Sequence, residues 1–189
     1  MNLKKKIVAL GMVCILAVGM AASAFAADTR AGIDMSTGTY TLHIITDGEN
    51  WNVTNYCLNV EGNHQVSQNR NVNIYTATGD DDQRWVYQFD ADGEYRLKSA
   101  LDRDYALNIY HPSTPATDHN CDIMEWADNK KDSALHYYSG STDWTYGRGE
   151  ICLANYSKNL AACGLGNGNN VVWHNSSSPY YGLYAKWGE

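Results

Sequence analysis

The feature that most constrains this chain is a threefold internal repetition. Cys57-Leu58-Asn59-Val60 recurs as Ala106-Leu107-Asn108-Ile109 and then as Cys152-Leu153-Ala154-Asn155, at steps of 49 and 46 residues. Asn73-Ile74-Tyr75 is matched by Ile123-Met124-Glu125 and by Val171-Val172-Trp173, at steps of 50 and 48. Gln83-Arg84-Trp85 is matched by Ser133-Ala134-Leu135 and Tyr181-Gly182-Leu183, again at 50 and 48. Within each copy the second and third landmarks keep one spacing: Tyr75 to Trp85, Glu125 to Leu135 and Trp173 to Leu183 are all ten residues. A unit this short cannot bury its apolar face alone, so three copies must share one core.

Each copy has the pattern of short strands. Thr39 to Ile44 and Glu94 to Lys98 alternate polar and apolar residues, while Val72 to Tyr75 and Arg84 to Phe89 are rich in β-branched and aromatic side chains. Turn formers separate them: Asp47-Gly48, Glu61-Gly62-Asn63, Thr78-Gly79-Asp80, Asp92-Gly93 and the run from Gly164 to Asn170. No long stretch carries a helical period. The expectation is an all-β domain over 39–189 of about twelve short strands, in repeats near 39–92, 93–141 and 142–189.

The first 26 residues stand apart. Lys4, Lys5 and Lys6 precede an apolar run from Ile7 to Val18, and Ala24-Phe25-Ala26 offers small residues at a cleavage site. This is the layout of a secretory signal peptide, followed by a short lead-in over 27–38. An uncleaved anchor is disfavoured, because the unbroken apolar run is short for a bilayer span. Secretion and no membrane insertion after cleavage are therefore expected. Taking 26 residues from 189 leaves 163, and removing three lysines from a net charge of −7 leaves −10. So acidic a domain excludes nucleic acid as a natural partner. Four cysteines remain after cleavage: Cys57, Cys121, Cys152 and Cys163. Export permits disulfides, four cysteines allow three pairings, and the local pair Cys152–Cys163 is the preferred one. No CxxC spacing suggests a zinc site.

Taken together, the repeat period, the strand pattern and Gln83-Arg84-Trp85 resemble the ricin B-chain type of β-trefoil lectin, the Gln-x-Trp carbohydrate-binding family. The resemblance runs from about residue 40 to the C-terminus and implies a six-stranded barrel capped by three hairpins. Trp85, Leu135 and Leu183 would then be equivalent core residues, and Leu58, Leu107 and Leu153 a second layer. It also implies up to one shallow sugar pocket per repeat, built from a polar residue in the first strand, an aromatic ring that stacks on the pyranose, and a polar pair before the Trp. In the first repeat those positions hold Asn59, Tyr75, Asp82 and Gln83. In the second they hold Asn108, Glu125, Asp132 and Ser133, with Trp126 or Tyr110 available as the ring. In the third they hold Ala154, Trp173, Tyr180 and Tyr181, with Asn155 and His174 nearby. Weak pockets of this kind gain affinity by acting together.

The chain has Tyr 14 and Trp 6 but Phe 2, and many tyrosines lie beside Asn, Ser and Gly, as a ring-stacking surface requires. Neutral glycans are the expected partners, with no cofactor and no metal. Asp80-Asp81-Asp82 lacks the alternating acids of a calcium loop. The Gly-rich run at Gly164 precedes no helix, so it is a turn and not a phosphate cradle. No nucleophile elbow or poised carboxylate pair points to catalysis, so the chain is expected not to be an enzyme. The rival expectation is a trefoil that binds protein, as an inhibitor or an accessory subunit.

Overall fold

The computed structural model describes residues 38–46, 52–62, 64–136, 148–179 and 182–188. The expected signal peptide, the lead-in up to residue 37, and Tyr180 and Tyr181 lie outside the described residues. Thirteen strands occur among the described residues. The first repeat holds β1 (His43–Thr46), β2 (Asn52–Val60), β3 (Arg70–Thr76) and β4 (Trp85–Phe89). The second holds β5 (Tyr95–Ser99), β6 (Tyr105–Ile109), β7 (Asp118–Glu125) and β8 (Leu135–His136). The third holds β9 (Arg148–Gly149), β10 (Cys152–Leu153), β11 (Lys158–Ala162), β12 (Val171–Asn175) and β13 (Trp187–Gly188). The helical content described is one short 3-10 turn, Asp81–Gln83.

The strands form two structures. The barrel closes on itself: β1 pairs with β13, β13 with β9, β10 with β8, β8 with β5 and β5 with β4. A bridge between Tyr40 and Trp85 returns the ring to its start. Three hairpins, β2–β3, β6–β7 and β11–β12, cap one end. They meet one another through β3–β7, β7–β12 and the bridge between Asn73 and Asn170. Closure leaves no long bare edge, which short strands of this kind require. The architecture is a β-trefoil.

Its pseudo-threefold axis is marked by three asparagines. Asn120 donates from Nδ2 to Asn71 Oδ1 at 2.9 Å, and Asn170 donates from Nδ2 to Asn120 Oδ1 at 2.7 Å. The first two repeats keep the sequence register: Leu58 faces Ile74 as Leu107 faces Ile123. In the third repeat the partner of Trp173 is Leu160, not Leu153. The strand equivalent to Cys57-Leu58-Asn59-Val60 is therefore Asn159-Leu160-Ala161-Ala162, and Cys152-Leu153 belongs to the strand before it. The expected Leu183 is likewise replaced by Trp187. Trp85 donates its indole N–H to Leu58 O at 3.0 Å, and Trp187 donates its own to Leu160 O at 2.9 Å. Both indoles are buried and satisfied, as a core Trp must be.

The register also removes the expected Cys152–Cys163 bridge. Cys152 pairs with Asn159, and Cys163 lies four residues further along that chain segment. At about 3.3 Å per residue that is roughly 13 Å, beyond the ~7 Å that a disulfide spans between Cα atoms. All four described cysteines are free.

Candidate functional site

Alternation along the hairpins decides what each repeat shows to solvent. In β2 and β3 the side chains of Leu58, Val60, Val72 and Ile74 fill the core. Asn59 and Asn73, which pair across the strands, and Tyr75, two residues beyond, therefore share the outer face. Asn59 donates from Nδ2 to Asn73 Oδ1 at 2.9 Å and to Val60 O at 3.0 Å. Tyr75 is 43% exposed, so its ring stands clear of the core beside this amide pair.

The 3-10 turn Asp81–Gln83 packs against β2 and brings Asp82 to the same side. Asp82 Oδ2 lies 3.7 Å from His64 Nδ1, and its Oδ1 is buried without a hydrogen-bond partner. Burial raises the Asp82 carboxyl above its ordinary value, and His64 opposes that rise. Burial, and secondly the charge of Asp82, pushes the Cys57 thiol up to about 12, so this thiol stays protonated and unreactive. Gln83 is not open to a ligand. It is buried, donates from Nε2 to Thr76 O at 3.0 Å, and accepts from Thr78 N at 2.7 Å. It acts as the clamp that holds the 3-10 turn against β3. Gly62 shapes the rim: its φ is +107°, and a Cβ there would sit 2.5 Å from Arg70 Nη1.

The second repeat forms the same polar pair with a carboxylate in place of one amide. Asn108 donates from Nδ2 to Asp122 Oδ1 at 2.8 Å and to Ile109 O at 3.1 Å, as Asn59 does to Asn73 and Val60. Asn108 Oδ1 and Asp122 Oδ2 are both buried without partners. Burial drives the Asp122 carboxyl up to about 6, against the lowering effect of the Asn108 bond. His64 and His111, in the connections within the first two hairpins, both adopt left-handed backbone, with φ of 58° and 49°. Asp132 takes the place of Asp82 and accepts the phenolic proton of Tyr156.

The strand register puts Met124, not Glu125, opposite Ala106 where Tyr75 stands opposite Cys57. Glu125 instead accepts from Tyr105 Oη at 3.2 Å. Trp126 is committed elsewhere: Lys98 Nζ lies 4.4 Å and Arg96 Cζ 4.9 Å from its ring centre. Both cations are buried and paired with Asp90. The hydrogen bond from Arg96 holds the Asp92 carboxyl below its ordinary value. The exposed ring beside the second pocket is Tyr110, edge-on to His111 at 4.0 Å.

The third repeat has lost the polar pair. Ala161 and Val172 stand where Asn59 and Asn73 stand. Trp173 is 0% exposed and donates its indole N–H to Asn108 O at 2.9 Å, so it belongs to the core and cannot stack on a sugar. Its inward direction follows from its pairing with Leu160, a core strand position. His174 occupies the position of Tyr75 but is buried against Asp118, 2.5 Å away. Ala154 lies in a turn away from this face, beside a polar cleft of about 530 Å³ that Glu150, Tyr156 and Asn159 help to line.

The structure thus brings Asn59, Tyr75 and Asp82 together and gives Gln83, Trp126 and Trp173 other work. Asn73, Asp122, His64 and His111 are additions to the sequence reading. The 14-residue step from Asn59 to Asn73 repeats from Asn108 to Asp122 and is visible in the sequence as a signal. No cluster of three or more metal-binding side chains occurs among the described residues.

No protein-family model matches this chain, and no curated protein matches it in sequence. Solved structures do match its fold. A designed threefold-symmetric protein, ThreeFoil, aligns with a TM-score of 0.59 at 20% identity, over 80% of this chain and 97% of its own. A ricin B-like lectin of Macrolepiota procera, solved in complex with lactose, aligns with a TM-score of 0.56 at 18% identity, over 81% of this chain and 94% of its own. The β-trefoil lectin of a Vibrio vulnificus hemolysin/cytolysin, solved with N-acetyl-D-lactosamine bound, aligns with a TM-score of 0.51 at 15% identity, over 79% and 90%. At these identities the likeness establishes the β-trefoil fold.

Proposed function

We propose that this chain is an exported carbohydrate-binding domain of the ricin B-like type, which holds glycan without catalysis in shallow pockets on the outer faces of its first two hairpins. One observation carries the reading: the exposed ring of Tyr75 shares one strand face with a buried amide pair, Asn59–Asn73, and the turn packed against β2 carries a buried, unpartnered carboxylate oxygen of Asp82. A sugar presents an apolar C–H face to the ring and hydroxyl donors to the oxygens, which matches both halves of this surface. The unpartnered oxygen matters most. A buried acceptor left unmade costs ~1–3 kcal/mol, and a hydroxyl donor from a ligand recovers that cost on binding. Two fold relatives that bind lactose and N-acetyl-D-lactosamine support the choice of ligand class.

The test is calorimetric titration of the domain with lactose and N-acetyl-D-lactosamine, backed by a glycan array. Binding is expected in the weak range usual for one shallow pocket. Tyr75→Ala should weaken the first pocket by about tenfold, the equivalent of ~1.4 kcal/mol of lost ring contact. Silence across a broad array would overturn the reading in favour of a protein-binding trefoil.

A further inference from the structure

The two polar pockets stand on equivalent backbone, yet they solve their hydrogen bonding differently. In the first, Asn59 meets another amide, Asn73, and neither leaves a buried side-chain atom without a partner. In the second, Asn108 meets a carboxylate. Asn108 is 4% exposed and Asp122 is 1% exposed, and each keeps one oxygen buried and unpartnered. Two buried acceptors in one hydrogen-bonded pair, each without a donor of its own, are an unfavourable arrangement for an empty site. An amide at position 122 would offer an N–H to this place, as Asn73 can in the first pocket. A carboxylate offers none unless it carries a proton.

The geometry points to Asp122 as the residue that makes the second pocket acid-releasing: ionised, it presents paired acceptors that the hydroxyl donors of a sugar satisfy, and protonated, it offers a donor where the sugar needs an acceptor. This inference rests on the glycan reading above. The groups that face Asp122 come from each neighbouring element. β6 supplies the neutral Asn108, and the β6–β7 turn supplies His111, whose charge favours the ionised form. The turn before β8 supplies Asp132, whose negative charge opposes ionisation, while β3 supplies the backbone of Asn71. Burial outweighs them and drives the Asp122 carboxyl up to about 6, where mild acidification protonates it.

The experiment isolates the second pocket in a Tyr75→Ala/Asp82→Ala background and titrates N-acetyl-D-lactosamine at pH 7.5 and pH 5. For a group titrating near 6, about one tenth is ionised at pH 5, so affinity should fall about tenfold. Asp122→Asn should bind with the same affinity at both pH values, and Asn73→Asp in the otherwise intact chain should bring the acid loss to the first pocket. His111→Asn should keep the pH dependence; if it abolishes it, His111 is the switch and the inference fails. A second readout follows the Asp122 carboxyl carbon by NMR, where saturating sugar should lower its titration midpoint. Sugar binding in the isolated second pocket that is equal at both pH values, or a midpoint that the sugar does not move, overturns the role of Asp122 and leaves the glycan reading standing. Failure of the intact chain to bind any glycan at either pH overturns both.

Discussion

The first and second repeats keep an asparagine, Asn59 or Asn108, on the outer face but differ beside it, Asn73 against Asp122 and Tyr75 against Met124, while the third repeat gives up the polar pair altogether. The first two hairpins keep Asn59 and Asn108 where the strand direction points them outward. The third puts Ala161 and Val172 there and buries an indole, Trp173, where the others bury Ile74 and Ile123. The contrast teaches that pseudo-symmetry constrains the inner layer and leaves the outer one free. Inner residues from three repeats meet at one axis and must fit together at native packing density, and Trp173 shares that layer with the small Ala162. Outer residues do not meet at that axis, so each repeat can diverge alone.

The largest expected effect tests whether the third repeat serves the core. Trp173→Ala removes a fully buried indole and its bond to Asn108 O, and should cost ~3–5 kcal/mol in urea unfolding. A loss below ~1 kcal/mol would mean that the ring is not packed, and would reopen the third face as a binding surface.

The next effect tests the difference between the first two pockets. The Asp122 carboxyl is raised from 3.8 to about 6 in the folded chain. The folded state therefore holds its proton more tightly than the unfolded state does. That preference stabilises fully below the unfolded value and is lost as pH rises through the folded one. Asp122→Asn should thus stabilise the domain at pH 7.5 by up to ~3 kcal/mol, with the gain fading toward pH 4. Thermal unfolding across that range checks it, and a gain that is flat with pH would break the assignment.

The smallest effect concerns the first pocket. Tyr75 is 43% exposed, so Tyr75→Ala should change stability by less than ~1 kcal/mol even as it weakens sugar binding. A larger loss in denaturant unfolding would show the ring to be structural, and the likeness between the two pockets would then rest on the polar pairs alone.

Much of the fold was legible in the chain. Period, strand alternation and turn residues are local properties, and the register of the first two repeats follows from them, as Leu58 facing Ile74 and Leu107 facing Ile123 show. That Asn59 and Tyr75 fall on one strand face is legible for the same reason. In the third repeat Cys152-Leu153 imitates Cys57-Leu58 in letters, whereas the pairing of β11 with β12 selects Leu160. Trp126 and Trp173 resemble ligand rings in the sequence because aromatic letters do not state which way a side chain points.

By itself, then, the sequence determined a three-unit β chain with polar residues recurring on one strand face. A repeat of hydrophobic spacing is enough for that, since no single unit can bury its own core. Only the tertiary structure decided which rings face solvent, that Gln83 clamps a turn, that Cys152 and Cys163 stay apart, and that Asp122 carries an unpartnered oxygen. Each of these depends on contacts between residues distant in the chain, and burial, register and proton affinity exist only once those contacts form.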